Sequence, residues 1–310
     1  MSKRYKIAYF GTPAFAVEPL KKLIETHDVV CVVAQPDKPQ GRGNKLTPPP
    51  TKEVALQHNI PVYQPDKLSQ AQDLYDFLVK NQIDFLITAA YGKILPLNYL
   101  QIPKYKPLNL HGSLLPLYRG ASPVQQALLN NDKYTGVTIM EMEVTMDTGA
   151  MYNQGKIEIA PEDTTLSLMM KLSAVAADTI VETLARWDSI TPTPQDNDKA
   201  TYCKKIVKED GLISWTDDYM TIYGKVRGFY PWPSAYFAYN NDMIKIHSAR
   251  ISANSKSGVS GEILEVGKDY VTVACGNGNL DLISIQPPNK AAMSPVGWLN
   301  GQRLKAGDKL

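Results

Sequence analysis

Cysteine is scarce in this chain, which has only three among its 310 residues. They are Cys31, Cys203 and Cys275, and their wide separation does not match the spacing of a metal-ligand set. An odd number of isolated cysteines argues against both a disulfide framework and a zinc site. We therefore expect a protein of a reducing compartment, the cytoplasm, that uses no metal.

Long apolar runs and a large net charge are also missing. No run approaches the roughly 20 residues that a helix needs to span a bilayer, and residues 1–13 lack the apolar core of a signal peptide. The net charge of +2 is too small to indicate a polyanionic partner by itself. These features predict a globular protein without membrane association, long enough for one large domain or two ordinary ones.

Short apolar runs alternate with helical patterns in the first half of the chain. Strands are predicted at residues 6–10, 29–34 and 85–89. The segments between them, such as residues 15–27, have helical spacing. This alternation is typical of an α/β domain in which helices cover both faces of a mostly parallel sheet. A long amphipathic helix over residues 165–187 is predicted to close the domain.

The pattern changes in the last third of the chain. Residues 189–199 are polar, contain prolines and lack periodicity, as expected of an extended linker. Short strand-like runs follow at residues 235–239, 244–246, 261–266, 271–274 and 280–285, separated by Asn and Gly turns. They predict a small OB-like β-barrel of roughly 100 residues. The expected organisation is a catalytic domain over 1–188, a linker over 189–207 and the barrel over 208–310.

Histidine is scarce as well, with four residues, and one of them stands in a polar cluster. Asn109 and His111 lie at the end of a short predicted strand, and Asp147 supplies a carboxylate before Thr-Gly. Ligands of open α/β sheets bind beyond the carboxyl ends of the strands. An amide, an imidazole and a carboxylate suit a reaction that forms and collapses an oxyanion while a proton moves. The other interpretation is a hydrogen-bonded strand-end histidine and a turn-forming aspartate.

Nucleotide-binding loops are incomplete. Residues 11–13 (Gly-Thr-Pro) follow the first strand without the full Gly-x-Gly-x-x-Gly pattern, and no Walker lysine loop is present, which argues against a nicotinamide dinucleotide. Two apolar loops that end in proline can instead line a pocket for a flat heteroaromatic ligand. They contain Ala90, Tyr91 and Gly92 in one loop and Ser113, Leu114, Leu115 and Pro116 in the other. Ordinary loop packing is the alternative interpretation.

Two basic groups are candidates for contacts with nucleic acid. The loop over residues 36–46 is long, contains glycine and carries cations, and loops of this length are often functional. The candidate phosphate-binding residues are Lys38, Arg42 and Lys45 in this loop, and Lys204, Lys205 and Lys208 beside the linker. A merely solvated basic surface fits the same residues. The motif at residues 227–233 (Arg-Gly-Phe-Tyr-Pro-Trp-Pro) favours a structural hinge over base stacking.

Several motifs together carry a family resemblance. They are Phe-Gly-Thr-Pro at 10–13, Gln-Pro-Asp at 35–37, Gly-Arg-Gly at 41–43, Ala-Tyr-Gly at 90–92, Asn-Leu-His-Gly-Ser-Leu-Leu-Pro at 109–116, Asp-Thr-Gly at 147–149 and Pro-Trp-Pro at 231–233. Over nearly its whole length the chain resembles the methionyl-tRNA formyltransferases, which belong to the folate-dependent formyltransferases. The resemblance implies a Rossmann-like catalytic domain followed by a tRNA-binding barrel.

The resemblance also implies a reaction and its participants. The formyl group of 10-formyltetrahydrofolate would pass to the α-amino group of methionine on initiator tRNA, for translation initiation. Asn109 and His111 would stabilise the oxyanion, and Asp147 would orient His111 and relay the amine proton. The loops at 90–92 and 113–116 would bind the folate, and the six basic residues would contact tRNA. No metal is implied, and a monomer is expected.

Two other functions share some of these features. Another folate-dependent formyltransferase, or a hydrolase, would use the same core with a small-molecule acceptor such as an amino sugar or a purine-pathway amine. A purine-pathway enzyme is expected to end near residue 200, and a sugar enzyme to carry a different second domain. A non-catalytic tRNA-binding protein would not need the cluster of Asn109, His111 and Asp147.

Overall fold

A computed structural model describes residues 3–40 and 45–310 of the chain. The strands are β1 (Lys6–Gly11), β2 (Asp28–Val33), β3 (Lys38–Gln40), β4 (Lys45–Thr47), β5 (Val62–Tyr63), β6 (Phe85–Ala89), β7 (Lys106–His111), β8 (Arg119–Gly120), β9 (Tyr134–Glu141), β10 (Met151–Glu158), β11 (Tyr202–Cys203), β12 (Ala235–Tyr239), β13 (Asp242–Ile251), β14 (Ile263–Val266), β15 (Val271–Cys275) and β16 (Gly278–Gln286). The α-helices are α1 (Val17–Thr26), α2 (Pro50–Gln57), α3 (Gln72–Asn81), α4 (Leu97–Leu100), α5 (Pro123–Leu129), α6 (Thr165–Ala185), α7 (Tyr219–Gly228) and α8 (Pro295–Gln302).

The chain forms two compact units that are not contiguous in sequence. Unit 1 comprises residues 1–120, 135–157 and 169–203, and unit 2 comprises residues 121–134, 158–168 and 204–310. Two segments of the predicted catalytic domain therefore belong to unit 2. The predicted linker is assigned to unit 1 as far as Cys203. A prediction that divides the chain into consecutive domains cannot show this, because segments that pack together can be distant in sequence.

A seven-stranded sheet in the order β10-β9-β7-β6-β1-β2-β5 forms the centre of unit 1. β1, β2, β5, β6 and β7 pair in parallel, whereas β9 runs antiparallel to β7. All five residues of β6 (Phe-Leu-Ile-Thr-Ala) are buried, as expected for a central parallel strand covered on both faces. The predicted α/β fold with a mostly parallel sheet is thereby confirmed.

The register of two neighbouring strands positions the candidate site. β6 and β7 run in parallel, and Thr88 lies opposite Asn109. Side chains alternate between the faces of a strand, so Asn109 and His111 project from the same face of β7. His111 is the last residue of β7 and therefore lies at the carboxyl edge of the sheet, where α/β proteins bind ligands.

Unit 2 contains an antiparallel five-stranded sheet in the order β12-β13-β16-β15-β14. All five strands predicted in this region are confirmed. Among the residues that the structure describes, no pairing joins β12 to β14, so the closed barrel stays a prediction. α8 was not predicted, although Ser294 followed by Pro295 is a common helix start. In the structure the Ser294 side chain accepts a hydrogen bond from the Val296 N–H.

Candidate active site

The Asn109 side chain is held in one orientation by its neighbour on β6. Thr88 Oγ1 donates a hydrogen bond to Asn109 Oδ1 over 2.8 Å. The carbonyl end of the amide is thus engaged, which leaves Nδ2 as the end that faces away from Thr88. Asn109 is half-buried, and within the described part of the chain no hydrogen bond engages Nδ2. This geometry presents a fixed N–H donor at the edge of the sheet.

His111 is oriented by a backbone carbonyl. Its Nε2 lies 2.9 Å from the Tyr118 carbonyl oxygen. A carbonyl oxygen can only accept, so Nε2 carries the proton and donates it. The ring is 5% exposed, and its other nitrogen, Nδ1, lies 3.7 Å from Asp147 Oδ1. His111 is therefore fixed by main chain, with Nδ1 directed towards the carboxylate.

Asp147 is positioned through its second carboxylate oxygen. The Gly120 N–H donates to Asp147 Oδ2 over 2.8 Å. Gly120 has a φ of +116°, and a Cβ there would approach the Cys203 carbonyl oxygen to 2.3 Å. Only glycine fits both constraints. Glycine at position 120 thus allows the backbone conformation in which this N–H reaches Asp147.

Together these three side chains provide complementary chemical groups. Asn109 offers an N–H donor, His111 an imidazole and Asp147 a carboxylate that is half-buried and hydrogen-bonded. Donors fixed before the reaction stabilise an oxyanion without a cost of reorganisation. A carboxylate beside an imidazole can accept and relay a proton. The arrangement suits attack by an amine on a carbonyl carbon.

Three supporting residues were missed by sequence analysis. Thr88 fixes Asn109, the Tyr118 carbonyl fixes His111, and the Gly120 N–H fixes Asp147. Thr88 was the one with a detectable signal, because it is the only hydroxyl residue in a fully buried strand. The Tyr118 carbonyl and the Gly120 N–H act through main chain, so the types of these residues do not reveal their partners.

The predicted folate loops differ in what they expose. Tyr91 is 3% exposed and its ring packs edge-on against Phe10 in the core, with centroids 5.4 Å apart. Burial raises the pKa of Tyr91 to about 12, so the phenol is neutral at physiological pH. Ala90 and Gly92 on either side are exposed and have positive φ values. This loop can therefore contact a ligand through its backbone rather than through the tyrosine ring.

The second predicted loop is anchored to β9. Ser113 and Leu115 are buried, whereas Leu114 and Pro116 are half-buried. The Thr138 hydroxyl donates to the Ser113 carbonyl and accepts from the Leu115 N–H, over 2.7 and 3.0 Å. The loop backbone is thus rigid, and its half-buried side chains are those available to a ligand.

A cavity of about 560 Å³ adjoins this region of unit 1. Its lining includes Leu97 of α4 and Met142, Val144 and Thr145 of the segment after β9. Met142 Sδ lies 3.2 Å from Thr88 Oγ1, which connects the cavity wall to the residue that holds Asn109. The predicted folate loops are not part of this lining.

The predicted basic residues belong to two different units. Lys38 begins β3, and its Nζ donates to Gln35 Oε1 over 3.1 Å. Lys45 lies in β4, which pairs with β3 as a hairpin, and Arg42 falls outside the described residues. In unit 2, Lys204, Lys205 and Lys208 are all exposed. The exposed side chains of Lys204, Lys205 and Lys208 are accessible to a polyanion.

The base of the β3–β4 hairpin is attached to unit 1. Asp37 accepts hydrogen bonds from Gln64 Nε2 over 2.7 Å and from Lys52 Nζ over 2.9 Å. The bond from Gln64, followed by that from Lys52, holds the pKa of the Asp37 carboxyl below its usual range. Gln35 Nε2 in turn donates to the Tyr91 carbonyl over 2.9 Å. The hairpin base is therefore fixed beside the loop of Ala90 and Gly92.

Residues 3–40 and 45–310 hold neither a metal-binding cluster nor a membrane-spanning helix. No group of three or more His, Cys, Asp or Glu side chains in that range is arranged to hold a metal ion. Likewise, none of the helices described has the length and apolarity needed to cross a membrane.

Comparisons with known proteins identify relatives of both halves of the chain. Residues 5–184 match the family described as formyl transferase, and residues 205–303 match its C-terminal domain. A methionyl-tRNA formyltransferase of Listeria monocytogenes is 43% identical over 96% of this chain and 95% of its own length. One from a Sulfurihydrogenibium species is 41% identical over 98% of this chain and 99% of its own length.

A solved structure shares the fold at low sequence identity. HypX from Aquifex aeolicus in complex with tetrahydrofolic acid is 17% identical, with a TM-score of 0.66. The match covers 99% of this chain, which spans about half of that protein (49%). At this identity the likeness concerns the fold alone.

Proposed function

This chain belongs to the family of methionyl-tRNA formyltransferases, and we propose that it transfers a formyl group from 10-formyltetrahydrofolate to the α-amino group of methionine on initiator tRNA. Identity above 40% over nearly the whole of both chains supports this acceptor. The observation that supports the chemistry most directly is the Asn109 amide, which Thr88 holds with its N–H end turned away. Formyl transfer places this enzyme at the initiation of translation.

In the proposed reaction the neutral amine attacks the formyl carbon and forms a C–N bond. The carbonyl oxygen becomes an oxyanion, which the fixed Asn109 N–H stabilises. His111 shares this task when its Nε2–H turns from the Tyr118 carbonyl to the oxyanion. Asp147 accepts the amine proton, and the proton passes to N10 of the folate as the bond between N10 and the formyl carbon breaks. The products are formylmethionyl-tRNA and tetrahydrofolate, so atoms and protons balance without a metal.

We assign the folate to the loops at 90–92 and 113–116. The exposed backbone of Ala90 and Gly92 can hydrogen-bond the edge of a flat ring, and the half-buried Leu114 and Pro116 offer apolar surface. For the tRNA we assign Lys38, Arg42 and Lys45 in unit 1, and Lys204, Lys205 and Lys208 in unit 2. The sheet of unit 2, as an OB-like barrel, would present further surface to the tRNA. We further propose that the enzyme acts in the cytoplasm as a monomer.

A panel of acceptors tests the proposal. The protein is incubated with 10-formyltetrahydrofolate and, in separate reactions, methionyl initiator tRNA, a nucleotide-linked amino sugar, a glycinamide ribonucleotide and no acceptor. We expect formylation of the tRNA, detected by mass after nuclease digestion. Preferential formylation of either small amine, or rapid release of formate without acceptor, would contradict the proposal.

Arg42→Ala is expected to impair the use of tRNA and to spare the chemical step. Loss of one charged phosphate contact should raise the KM for charged tRNA about tenfold. The slope of log(kcat/KM) against log salt concentration should fall by about one unit. Turnover of a small methionine amine should be unchanged, because the formyl chemistry does not involve the loop.

The matched control is Arg186→Ala, which removes an exposed arginine paired with Glu182 near the end of α6. It removes the same charge and should leave the KM for tRNA and its salt dependence unaltered. If Arg42→Ala lowered kcat/KM equally for tRNA and for the small amine, the loop would not act on tRNA binding alone, and its assignment would be wrong.

A further inference from the structure

One side chain from a distant segment, that of Gln195, binds both ends of the turn that carries Asp147. Gln195 Nε2 donates hydrogen bonds to the Asp147 carbonyl over 2.9 Å and to the Gly149 carbonyl over 2.8 Å. One amide group therefore ties together both ends of the Asp-Thr-Gly turn. Gln195 is 9% exposed, although it lies in a segment whose sequence predicts an extended linker.

The other end of the Gln195 amide is fixed by a buried arginine. Arg119 Nε donates to Gln195 Oε1 over 2.9 Å, and Arg119 Nη2 donates to Asn197 Oδ1 over 2.8 Å. Arg119 is only 2% exposed. These contacts orient the amide of Gln195 so that its N–H groups, rather than its oxygen, face the two carbonyls.

Asp147 is held both at its carboxylate, by the residue after Arg119, and at its main-chain carbonyl, by Gln195. Arg119 directly precedes Gly120, whose N–H binds Asp147 Oδ2. Asp147 itself has a φ of 55°, a left-handed conformation that is unfavourable for a residue with a Cβ and needs surrounding contacts to maintain it. The Gln195 bonds to the backbone of this turn supply such contacts.

We propose that Gln195, oriented by Arg119, is a positioning residue for catalysis that sets where the Asp147 carboxylate stands relative to His111. This inference rests on the proposed function. It assigns to the predicted linker a role in the chemical step and not only in joining two regions. Gln195 does not touch the reacting atoms, so its effect must pass through Asp147. A misplacement of about 1 Å in a reacting group can cost roughly 100-fold in rate.

Gln195→Glu separates positioning from folding. The glutamate retains an acceptor for Arg119, now as an ion pair, but it has no N–H to donate and faces two carbonyl oxygens. We expect kcat for formylation of methionyl-tRNA to fall about 10- to 100-fold. The KM for tRNA and the KM for 10-formyltetrahydrofolate should each change less than about twofold, because neither binding surface is altered. A merely structural contact would leave kcat of the folded enzyme intact.

Gln195→Met provides a second, uncharged variant of similar length that removes the same donors. Both variants are assayed at a temperature at which circular dichroism shows them folded. The matched control is Asn81→Asp in unit 1, because Asn81 Nδ2 also donates to a backbone carbonyl, that of Phe77, over 2.8 Å. With saturating tRNA this control should retain the kcat of the unaltered enzyme.

A double-mutant cycle tests whether the effect passes through Asp147. In the Asp147→Asn background, Gln195→Glu should lower kcat less than about twofold, since the carboxylate that it positions is already absent. If Gln195→Glu and Gln195→Met keep full kcat while the unaltered enzyme formylates tRNA, the inference is overturned and the proposed function stands. Full additivity in the cycle overturns it as well. Failure of the unaltered enzyme to formylate methionyl-tRNA would instead remove the proposed function.

Discussion

Replacing Asn109 with alanine is expected to lower kcat for formyl transfer about 100- to 1,000-fold, or roughly 2.7–4 kcal/mol, with little change in KM for either substrate. The amide N–H is the donor that the structure holds in place, with its carbonyl end bound to Thr88. It acts on charge that develops only during the reaction. Steady-state kinetics with varied tRNA and varied folate check both parts of this expectation.

Asn81→Ala is the matched control for this variant. Asn81 ends α3, and its Nδ2 donates to the Phe77 carbonyl over 2.8 Å. Removing that amide should change thermal stability slightly and leave kcat unaltered. Turnover of Asn109→Ala close to that of the unaltered enzyme would show that another group stabilises the oxyanion.

Asp147→Asn is expected to lower kcat about 100- to 10,000-fold, the range typical of a lost general acid or base. The amide has nearly the same shape and still offers an oxygen to the Gly120 N–H. Its charge and its capacity to accept the amine proton are lost. The KM for tRNA should therefore remain within about twofold, and single-turnover experiments should show the loss in the chemical step itself.

Asp308→Asn tests whether the effect is specific to the site. The Asp308 carboxylate also accepts a backbone N–H, that of Lys305, over 2.8 Å. It lies at the end of unit 2 and should tolerate the change without loss of kcat. A comparable fall in both variants, or a rise in KM with kcat preserved in Asp147→Asn, would refute the assignment of Asp147 to proton transfer.

The central sheet was predictable because its signal is local. Alternation of apolar runs with helical spacing indicates parallel strands with both faces covered, and the carboxyl edge of such a sheet is where His111 lies. The five strands of unit 2 were predictable for the same reason, since Asn and Gly turns separate them in the sequence. Whether those strands close into a barrel depends on long-range pairing, which local patterns do not encode.

Most of the contacts that orient the catalytic candidates could not be predicted. The Tyr118 carbonyl and the Gly120 N–H act through main chain, so residue type does not reveal which side chain each of them binds. Gln195 lies 48 residues from Asp147 along the chain, in a segment whose composition is that of a linker. The fold pairs β11, which follows Gln195 in the chain, in parallel with β8, which consists of Arg119 and Gly120. The proposed role of Gln195 depends on this pairing. Only three-dimensional contacts separate such a residue from an ordinary solvated glutamine.

The most direct test compares the unaltered protein with Asn109→Ala in a single assay. Each is incubated with initiator tRNA charged with methionine and with 10-formyltetrahydrofolate, and the aminoacyl nucleoside released by nuclease digestion is measured by mass spectrometry. We predict formylmethionyl-adenosine from the unaltered protein and a much lower initial rate from the variant. Unmodified methionyl-adenosine from the unaltered protein would contradict the proposed function. Equal rates from the two proteins would contradict the role of Asn109.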